Sequence, residues 1–236
     1  MQNVLKKKVL PEKISASILY FHTKVRFLLK ICFIIMLMNN FSEFKYEAGI
    51  DEAGRGCLAG PVTAAAVIFD KNFSHYELND SKKISLKKRI ELKKIIEENC
   101  LAYSVAFVSP KEIDKKNILN STYMAMHKAI DNLCIKPNFI SVDGNKFRPY
   151  NDIPYVCIIK GDQKYQNIAA ASILAKTYRD EYMKKIDVDF PNYSWCKNKG
   201  YGTKHHIDMI FKYGKTIHHR LSFKIKPKQL NLQFSQ

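Results

Sequence analysis

The chain has 236 residues, of which 46% are hydrophobic and 26% are charged, a balance typical of a globular protein and unlike a disordered or fibrous chain. Its length suits one large domain, or one domain with an appendage. Lysine and arginine total 39 against 22 acidic residues, and this formal net charge of +17 favours a polyanionic partner such as nucleic acid, although a basic proteome or a charged tail would produce the same excess.

The six cysteines are scattered along the chain and form no C-x-x-C pair. Such spacing is more typical of a reduced protein with buried thiols than of a disulfide framework or a zinc site. We therefore expect a cytoplasmic location.

Residues 1–38 differ in character from the remainder. They carry a net charge of +6, which leaves +11 on the rest of the chain, and they contain the apolar run 27-FLLKICFIIMLM-38. Lys30 interrupts this run, which is shorter than the ~20 residues of a membrane-spanning helix and starts too late for a signal peptide. A weak membrane anchor and a helical extension are both open. We favour a doubtful extension outside the functional protein, with Met38 as the natural start and no stable membrane partner.

Apolar patterning predicts the elements that follow. Ser85 suits the N-cap of one helix, a second helix is expected to break near Asn117, and the small face 169–171 of a third would permit close packing on a sheet. Hairpin-like strands at the start disfavour an all-parallel sheet, so the order predicts an α/β domain with a mixed sheet. Strands are predicted at 46–50, 61–70, 102–108, 138–142 and 155–159, and helices at 86–99, 111–133 and 167–186.

Three carboxylates lie at the ends of apolar strands or just beyond them: Asp51, Asp143 and Asp162. An unpaired acid at the end of a buried strand is costly unless a cation compensates it. Oxygen ligands from several strand ends suit Mg²⁺ or Mn²⁺, and acids beside a basic surface suit two-metal cleavage of phosphodiesters. For any single aspartate, a turn or an N-cap is the commoner role, so the hypothesis rests on their joint placement.

The sequence 49-GIDEAGRGCLAGPV-62 resembles the opening motif of ribonuclease HII, the type 2 ribonuclease H. The resemblance covers about residues 46–224. It implies a ribonuclease H-like fold with a mixed five-stranded sheet flanked by helices and a small helical C-terminal region. Further matches follow in the same order: 79-NDSKKIS-85, 142-VDGN-145, 160-KGDQKYQNIAAASILAKTYRD-180, 199-KGYGTKHH-206 and 218-HHRLSF-223.

This resemblance also divides the chain into domains. Residues 46–190 would form the catalytic domain and 191–224 a helical substrate-binding region, with a flexible tail at 225–236. The tail segment 229-QLNLQF-234 loosely resembles peptides that bind bacterial sliding clamps, one residue out of register, and a disordered end is the favoured alternative. A monomer is expected.

The activity implied by the resemblance is hydrolysis of the RNA strand of RNA/DNA hybrids and incision 5′ to single ribonucleotides embedded in duplex DNA. The products would carry 3′-hydroxyl and 5′-phosphate ends, and two divalent ions, Mn²⁺ or Mg²⁺, would serve as cofactors. The four residues implied as catalytic and as metal ligands are Asp51, Glu52, Asp143 and Asp162, with Asp180 as the rival for the fourth place.

The family pattern also implies substrate contacts. The loop Gly54, Arg55 and Gly56 would sense the ribonucleotide 2′-hydroxyl, the group that distinguishes RNA from DNA, and Tyr201 would stack on the neighbouring sugar. Ser81 and Lys82, with Lys83, belong to the phosphate-contacting motif. Thr203, His206, Arg220 and Ser222 match without a derivable role. Metal binding by the pairs 205–206 or 218–219 is a minor alternative.

Two local expectations concern the opening motif. Adjacent acids on a strand would face opposite sides of the sheet, so we expect the strand to end between Asp51 and Glu52 and the glycines to turn Glu52 toward the metals. Cys57 departs from the proline that many family members carry after the GRG element. A cysteine restores an N–H donor there, and a thiol so close to phosphate would be a weak oxidation liability.

Overall fold

The computed structural model describes residues 37–78, 81 and 84–225. The predictions made for residues 1–36, for Lys82 and Lys83, and for the tail from residue 226 lie outside these residues. Leu37 packs against the core, and the Met38 N–H donates to the Lys164 carbonyl at 2.8 Å while the Met38 carbonyl accepts from Gln166 N–H at 2.8 Å. These two residues, placed by the sequence in the doubtful extension, therefore contact the body of the protein.

Five strands form one mixed sheet in the order β3-β2-β1-β4-β5, which confirms the predicted fold class. The first three strands are antiparallel neighbours, and β4 and β5 run parallel to β1 and to each other. The strands are β1 (Glu47–Ala53), β2 (Val62–Ile68), β3 (Ala102–Val108), β4 (Phe139–Asp143) and β5 (Tyr155–Ile158).

The long helices form where the apolar spacing predicts them. Ser85 caps the first helix by accepting from Lys88 N–H, and the second is interrupted at Asn117, where φ is 64°. None of the helices in the described ranges is both long and apolar enough to cross a lipid bilayer. The helices are α1 (Leu86–Asn99), α2 (Pro110–Asp131), α3 (Gln166–Asp187), α4 (Trp195–Asn198) and α5 (Lys204–Tyr213), with 3₁₀ turns at Gly161–Gln163 and Pro191–Tyr193.

Helices cover both faces of the sheet. Ile50, Ile140 and Val142 pack on the α2 side, whereas Ala65 and Val67 pack against α1 and α3. Alternation along each strand assigns every residue to one of the two faces. The alanines at 169–171 are fully buried on the α3 side, which confirms the predicted close packing on the sheet.

Strand β1 is longer than the sequence suggests. Glu52 and Ala53 continue the ladder opposite Ala64 and Thr63 of β2. The expectation that the strand ends between Asp51 and Glu52 is therefore wrong, because the antiparallel partner β2 extends the pairing past both acids.

The C-terminal region is built around buried histidines. His206 Nε2 accepts from the Trp195 indole N–H at 2.9 Å, and its Nδ1 donates to the Tyr201 carbonyl at 2.8 Å. His219 Nδ1 accepts from Thr216 N–H at 2.9 Å, so its Nε2 donates to His206 Nε2, 3.2 Å away. Both rings are neutral in this network, and burial lowers the pKa of His206 and lowers that of His219 to about 4. Both side chains are therefore structural in this arrangement.

This network predicts a loss of stability in acid. Between pH 6.5 and about pH 4 the unfolded chain binds a proton at His219 that the folded protein does not, so the stabilisation is present above pH 6.5 and is lost as the pH falls. The fall in Tm between pH 7.5 and pH 5 should be smaller in His219→Gln than in the wild type, by about 2–4 °C. The exposed His205→Gln is the control for thermal unfolding, and equal falls in all three proteins would contradict the prediction.

Candidate active site

Asp51 and Asp143 lie side by side on one face of the sheet. The parallel register pairs Ile50 with Val142, so the next residues along the two strands are these aspartates. Their face is the α3 side, because Ser141, two residues before Asp143, accepts from the Asn167 side chain of α3 at 3.1 Å. The sequence prediction that strand ends bring these two acids together is therefore matched by the geometry.

The surroundings of Asp51 destabilise its ionised form. Asp51 is 5% exposed, and burial, followed by the negative charges of Glu52 and Asp143, raises its pKa well above the ordinary value. Hydrogen bonds from the Ser172 hydroxyl and from Glu52 N–H, the latter at 2.7 Å, partly offset this effect. The site therefore has an electrostatic demand that a bound cation would meet.

Glu52 is oriented differently from Asp51. It shares the parity of Ile50 and so begins on the opposite face of the sheet, and its Oε1 accepts from Arg55 Nη1 at 3.0 Å. By strand parity Glu52 therefore starts on the face opposite Asp51 and Asp143, although it lines the same cavity as Asp51. Its charge still acts on Asp51, because it is among the causes of the raised pKa of that carboxyl.

The two candidates for the fourth acid occupy different surroundings. Asp162 is buried in the 3₁₀ turn next to Gly161, whose N–H donates to Asp143 Oδ1 at 2.7 Å. Asp180 is buried on α3 and accepts from Lys176 Nζ at 2.6 Å. The turn that carries Asp162 is thus hydrogen-bonded to one of the paired aspartates, whereas Asp180 is engaged by a lysine.

The acid pair fits a divalent cation in its chemistry, because carboxylate oxygens are the preferred ligands of Mg²⁺ and Mn²⁺. Within the described part of the chain, however, no group of three or more histidine, cysteine, aspartate or glutamate side chains is arranged so that it could hold a metal ion. The four predicted ligands are therefore not assembled into one set, and Glu52 in particular would have to leave Arg55.

A cavity of about 260 Å³ is lined by Asp51, Glu52 and most of the predicted substrate contacts, whereas Asp143 and Asp162 do not line it. Ser81 lies here, with its hydroxyl 2.9 Å from that of Ser172, and so does Tyr201. A larger cleft of about 820 Å³ runs along α2, but its acids Asp114 and Asp131 bind Ser222 and the Tyr150 hydroxyl. The smaller cavity is lined by Asp51, Glu52, Ala53, Gly54, Arg55, Gly56, Ser81, Ser172, Lys176 and Tyr201.

The GRG loop is shaped by two backbone conditions. Gly54 has φ of 89°, and a Cβ on it would lie 2.0 Å from Arg179 Nε, so only glycine fits there. A Cβ on Gly56 would meet no atom within 4 Å, so this residue borders open space. The loop is therefore tight on its protein side and open on its cavity side.

Two buried arginines hold this loop and the turn after it. Arg220 donates to the carbonyls of Gly54 at 2.7 Å, Arg55 at 2.8 Å and Gly60 at 3.0 Å. Arg179 donates to the carbonyls of Ala59, Pro61 and Lys199. Burial lowers the pKa of Arg220 to about 10, so it stays cationic at neutral pH.

These arginines are functional candidates that sequence reasoning missed. Arg220 matched the family pattern without a role, and Arg179 precedes the rival acid Asp180 in the motif. The only sequence signal that could have identified Arg179 and Arg220 was their position inside motifs that match the family. Apart from Lys199, their targets lie more than 100 residues away in the chain, for example Gly54 for Arg220, so no local pattern could assign them. Ser172, which hydrogen-bonds Asp51, was missed for the same reason.

Cys57 is fully buried and its N–H donates to the Gly54 carbonyl at 3.4 Å, which uses the donor that a proline would lack. Burial raises the pKa of its thiol. The expectation of an oxidation liability at Cys57 is therefore wrong, because reactivity needs an accessible thiolate. In the described part of the chain the other cysteines, Cys100, Cys134, Cys157 and Cys196, are free thiols as well.

Comparison with known proteins places this site in a family. A family model described as Ribonuclease HII matches residues 48–226. The chain is 59% identical over 198 residues to a ribonuclease HII of Christiangramia forsetii, a match that covers 84% of this chain and 100% of that protein.

Two solved structures share the fold. The ribonuclease H2 of Pyrococcus horikoshii OT3 matches with a TM-score of 0.66 at 25% identity, over 76% of this chain and 94% of that one. The ribonuclease HII of Archaeoglobus fulgidus, solved in complex with PCNA, matches with a TM-score of 0.65 at 27% identity, over 78% and 98%. The chain therefore belongs to the ribonuclease HII family, whose members are ribonuclease H endonucleases that act on RNA/DNA substrates.

Proposed function

We propose that this ribonuclease H incises duplex DNA on the 5′ side of a single embedded ribonucleotide, as well as cutting the RNA strand of hybrids, and leaves 3′-hydroxyl and 5′-phosphate ends. The observation that carries the proposal is that Asp51, which lies beside Asp143, lines one cavity together with the GRG loop. A sensor of a 2′-hydroxyl must lie within reach of the bond that is cut, and only two residues separate Asp51 from Gly54.

The loop supports this role through its backbone. Arg220 donates hydrogen bonds to the carbonyls of Gly54 and Arg55, and the guanidinium of Arg55 donates to Glu52. Among the described residues, the N–H groups of Arg55 and Gly56 have no hydrogen-bond acceptor. A 2′-hydroxyl, which can accept as well as donate, would complement these donors. Tyr201 borders the same cavity and offers a partly exposed ring for stacking on the next sugar.

The proposed chemistry depends on two divalent ions, Mg²⁺ or Mn²⁺. Asp51 and Asp143 would hold them, with Asp162 and a reoriented Glu52 completing the ligand set. Bound there, such ions supply an activated water and stabilise the leaving 3′-oxygen. The protein itself contributes the fixed spacing of the two strands, the hydrogen bond from Ser172 to Asp51 and that from Gly161 to Asp143.

The sliding-clamp contact of residues 229–234 remains a prediction. The Archaeoglobus relative was solved with PCNA, which gives the idea support from a related protein. The segment itself lies outside the described residues. The cytoplasmic location and the monomeric state likewise remain predictions.

Substituting Asp143→Asn should separate catalysis from stability. The amide oxygen can still accept from Gly161 N–H, but one negative charge beside Asp51 is lost. Cleavage should fall more than about 100-fold, beyond the usual cost of disturbing a group behind a metal ligand. In EDTA the Tm should rise by about 2–4 °C, equivalent to ~1 kcal/mol of relieved repulsion.

Asp70→Asn is the matched control, because Asp70 is exposed and its Oδ1 accepts from Asn72 N–H in a comparable bond. Neither cleavage nor the Tm in EDTA should change in that variant. Wild-type cleavage by Asp143→Asn would refute the metal role of Asp143, and an unchanged Tm would refute the repulsion.

The proposed specificity is tested on three labelled duplexes of one sequence: all DNA, DNA with one ribonucleotide, and an RNA/DNA hybrid. With Mg²⁺ or Mn²⁺ we expect one cut on the 5′ side of the ribonucleotide, cleavage of the hybrid RNA and no cleavage of all-DNA duplex. Without divalent ions none should be cut. Cleavage of the hybrid alone would leave the ribonuclease H activity intact and refute incision at single ribonucleotides.

Arg220→Lys should weaken ribonucleotide discrimination. A lysine keeps the charge but cannot satisfy three carbonyls in a fixed fork. The kcat/KM ratio of the single-ribonucleotide duplex to the hybrid should fall about tenfold, equivalent to ~1.4 kcal/mol and within the cost of unsatisfied buried acceptors. Arg148→Lys, whose guanidinium binds Asn120 on the α2 surface, should leave the ratio unchanged. An equal loss on both substrates would show that Arg220 serves folding alone.

A further inference from the structure

An ion pair on α3 lies at the wall of the catalytic cavity. Lys176 Nζ donates to Asp180 Oδ1 at 2.6 Å, one helical turn further along. Asp180 is 4% exposed, whereas the Lys176 side chain is 20% exposed and lines the cavity that contains Asp51.

Helix stability does not explain this pair. A lysine that precedes its acidic partner at i,i+4 is the less favourable orientation on a helix. Burying a carboxylate beside an ammonium also costs desolvation energy that the attraction only partly returns. A buried pair of this kind calls for a role outside the helix.

The surroundings of Lys176 supply one. Ser172, one turn earlier on the same helix face, hydrogen-bonds Asp51. The Lys176 Nζ lies 5.9 Å from the centre of the Tyr201 ring, within the range of a cation–π contact. An ammonium has three donors, and Asp180 uses one, so the others are available to an anion in the cavity. The anion that a nuclease brings to this position is a backbone phosphate.

We propose that Lys176 binds a substrate phosphate beside the cleavage point, and that Asp180 is a positioning residue that orients Lys176 and is not a metal ligand. This inference rests on the ribonuclease H activity of the family and does not require incision at single ribonucleotides. It assigns the rival fourth acid of the sequence comparison a different task from Asp162.

The experiment compares Lys176→Gln, Lys176→Arg and Asp180→Asn with two matched controls. Lys93 Nζ of α1 binds Glu181 of α3 at 2.9 Å in a second ion pair, and neither residue lines the cavity. Lys93→Gln and Glu181→Asn therefore remove one positive and one negative charge, as the test variants do, from an ion pair outside the cavity. For each protein, kcat, KM and the Mg²⁺ concentration for half-maximal activity are measured on an RNA/DNA hybrid. The salt dependence of hybrid binding is measured with each change placed in an Asp143→Asn background.

Lys176→Gln should raise KM about tenfold, as expected for a lost charge-assisted contact. It should reduce the slope of log affinity against log salt by about one phosphate contact. Lys176→Arg should restore most of the affinity, because the charge is retained. Asp180→Asn should raise KM about threefold, and the Mg²⁺ requirement should match the wild type in all variants. Both controls should behave as wild type.

Two results would overturn the proposal. An unchanged KM and salt slope in Lys176→Gln would make the ion pair purely structural. A Mg²⁺ requirement raised about tenfold or more in Asp180→Asn would make Asp180 a metal ligand. Should Lys176→Gln fail to fold, Asp180→Asn decides alone, and a wild-type KM in that variant refutes the positioning role. The single-ribonucleotide duplex is not used here, so failure of the proposed incision activity cannot be mistaken for either result.

Discussion

The close contact between α3 and β1 is the constraint on which the site depends. A Cβ on Gly49 would lie 2.3 Å from the backbone of Asn167, so no side chain fits between helix and strand. The Asn167 amide then reaches across the sheet and donates to Glu47 of β1 at 2.9 Å and to Ser141 of β4 at 3.1 Å. One helix residue thereby ties together the two strands that carry Asp51 and Asp143.

Once α3 is fixed at this distance, its successive turns meet successive parts of the catalytic cavity. Ser172 contacts Asp51, Lys176 reaches the cavity wall, Arg179 packs on Gly54, and Met183 lies where a Cβ on Gly60 would be. The spacing of four, three and four residues is that of one helix face. The GRG loop thus packs against α3, and Arg220 of the C-terminal region holds it by hydrogen bonds to its carbonyls.

The elements were predictable because their signals are local. Apolar periodicity placed the five strands and three long helices, Ser85 was recognisable as an N-cap, and the break at Asn117 was expected. Asp143 could be assigned to a site because it directly follows a buried strand. The extent of β1 was not predictable, since Ala64 and Thr63 of β2 decide where its pairing ends. The longer strand starts Glu52 on the face opposite Asp51, because neighbouring residues of a strand point to opposite faces, and yet Glu52 lines the same cavity.

The roles of the acids show the same limit more sharply. Asp162 and Asp180 are both buried aspartates in matched motifs, and local sequence does not separate them. Their surroundings do separate them. Asp162 lies next to Gly161, which donates to Asp143, whereas Asp180 accepts from Lys176. Sequence thus identifies which acids are candidates, while tertiary contacts give each of them its own surroundings.

These contacts divide charge across the cavity. The sheet contributes Asp51 and Asp143, and burial, followed by the charges of Glu52 and Asp143, raises the pKa of Asp51. Helix α3 and the C-terminal region contribute Lys176, Arg179 and Arg220, and Arg220 stays protonated at neutral pH despite its lowered pKa. Because the arginines are saturated by carbonyls, they cannot move toward the acids and neutralise them. The separation is therefore built into the fold, and only mobile partners can balance it: cations on the sheet side and phosphates on the helix side. A nucleic-acid backbone with divalent ions supplies both at once.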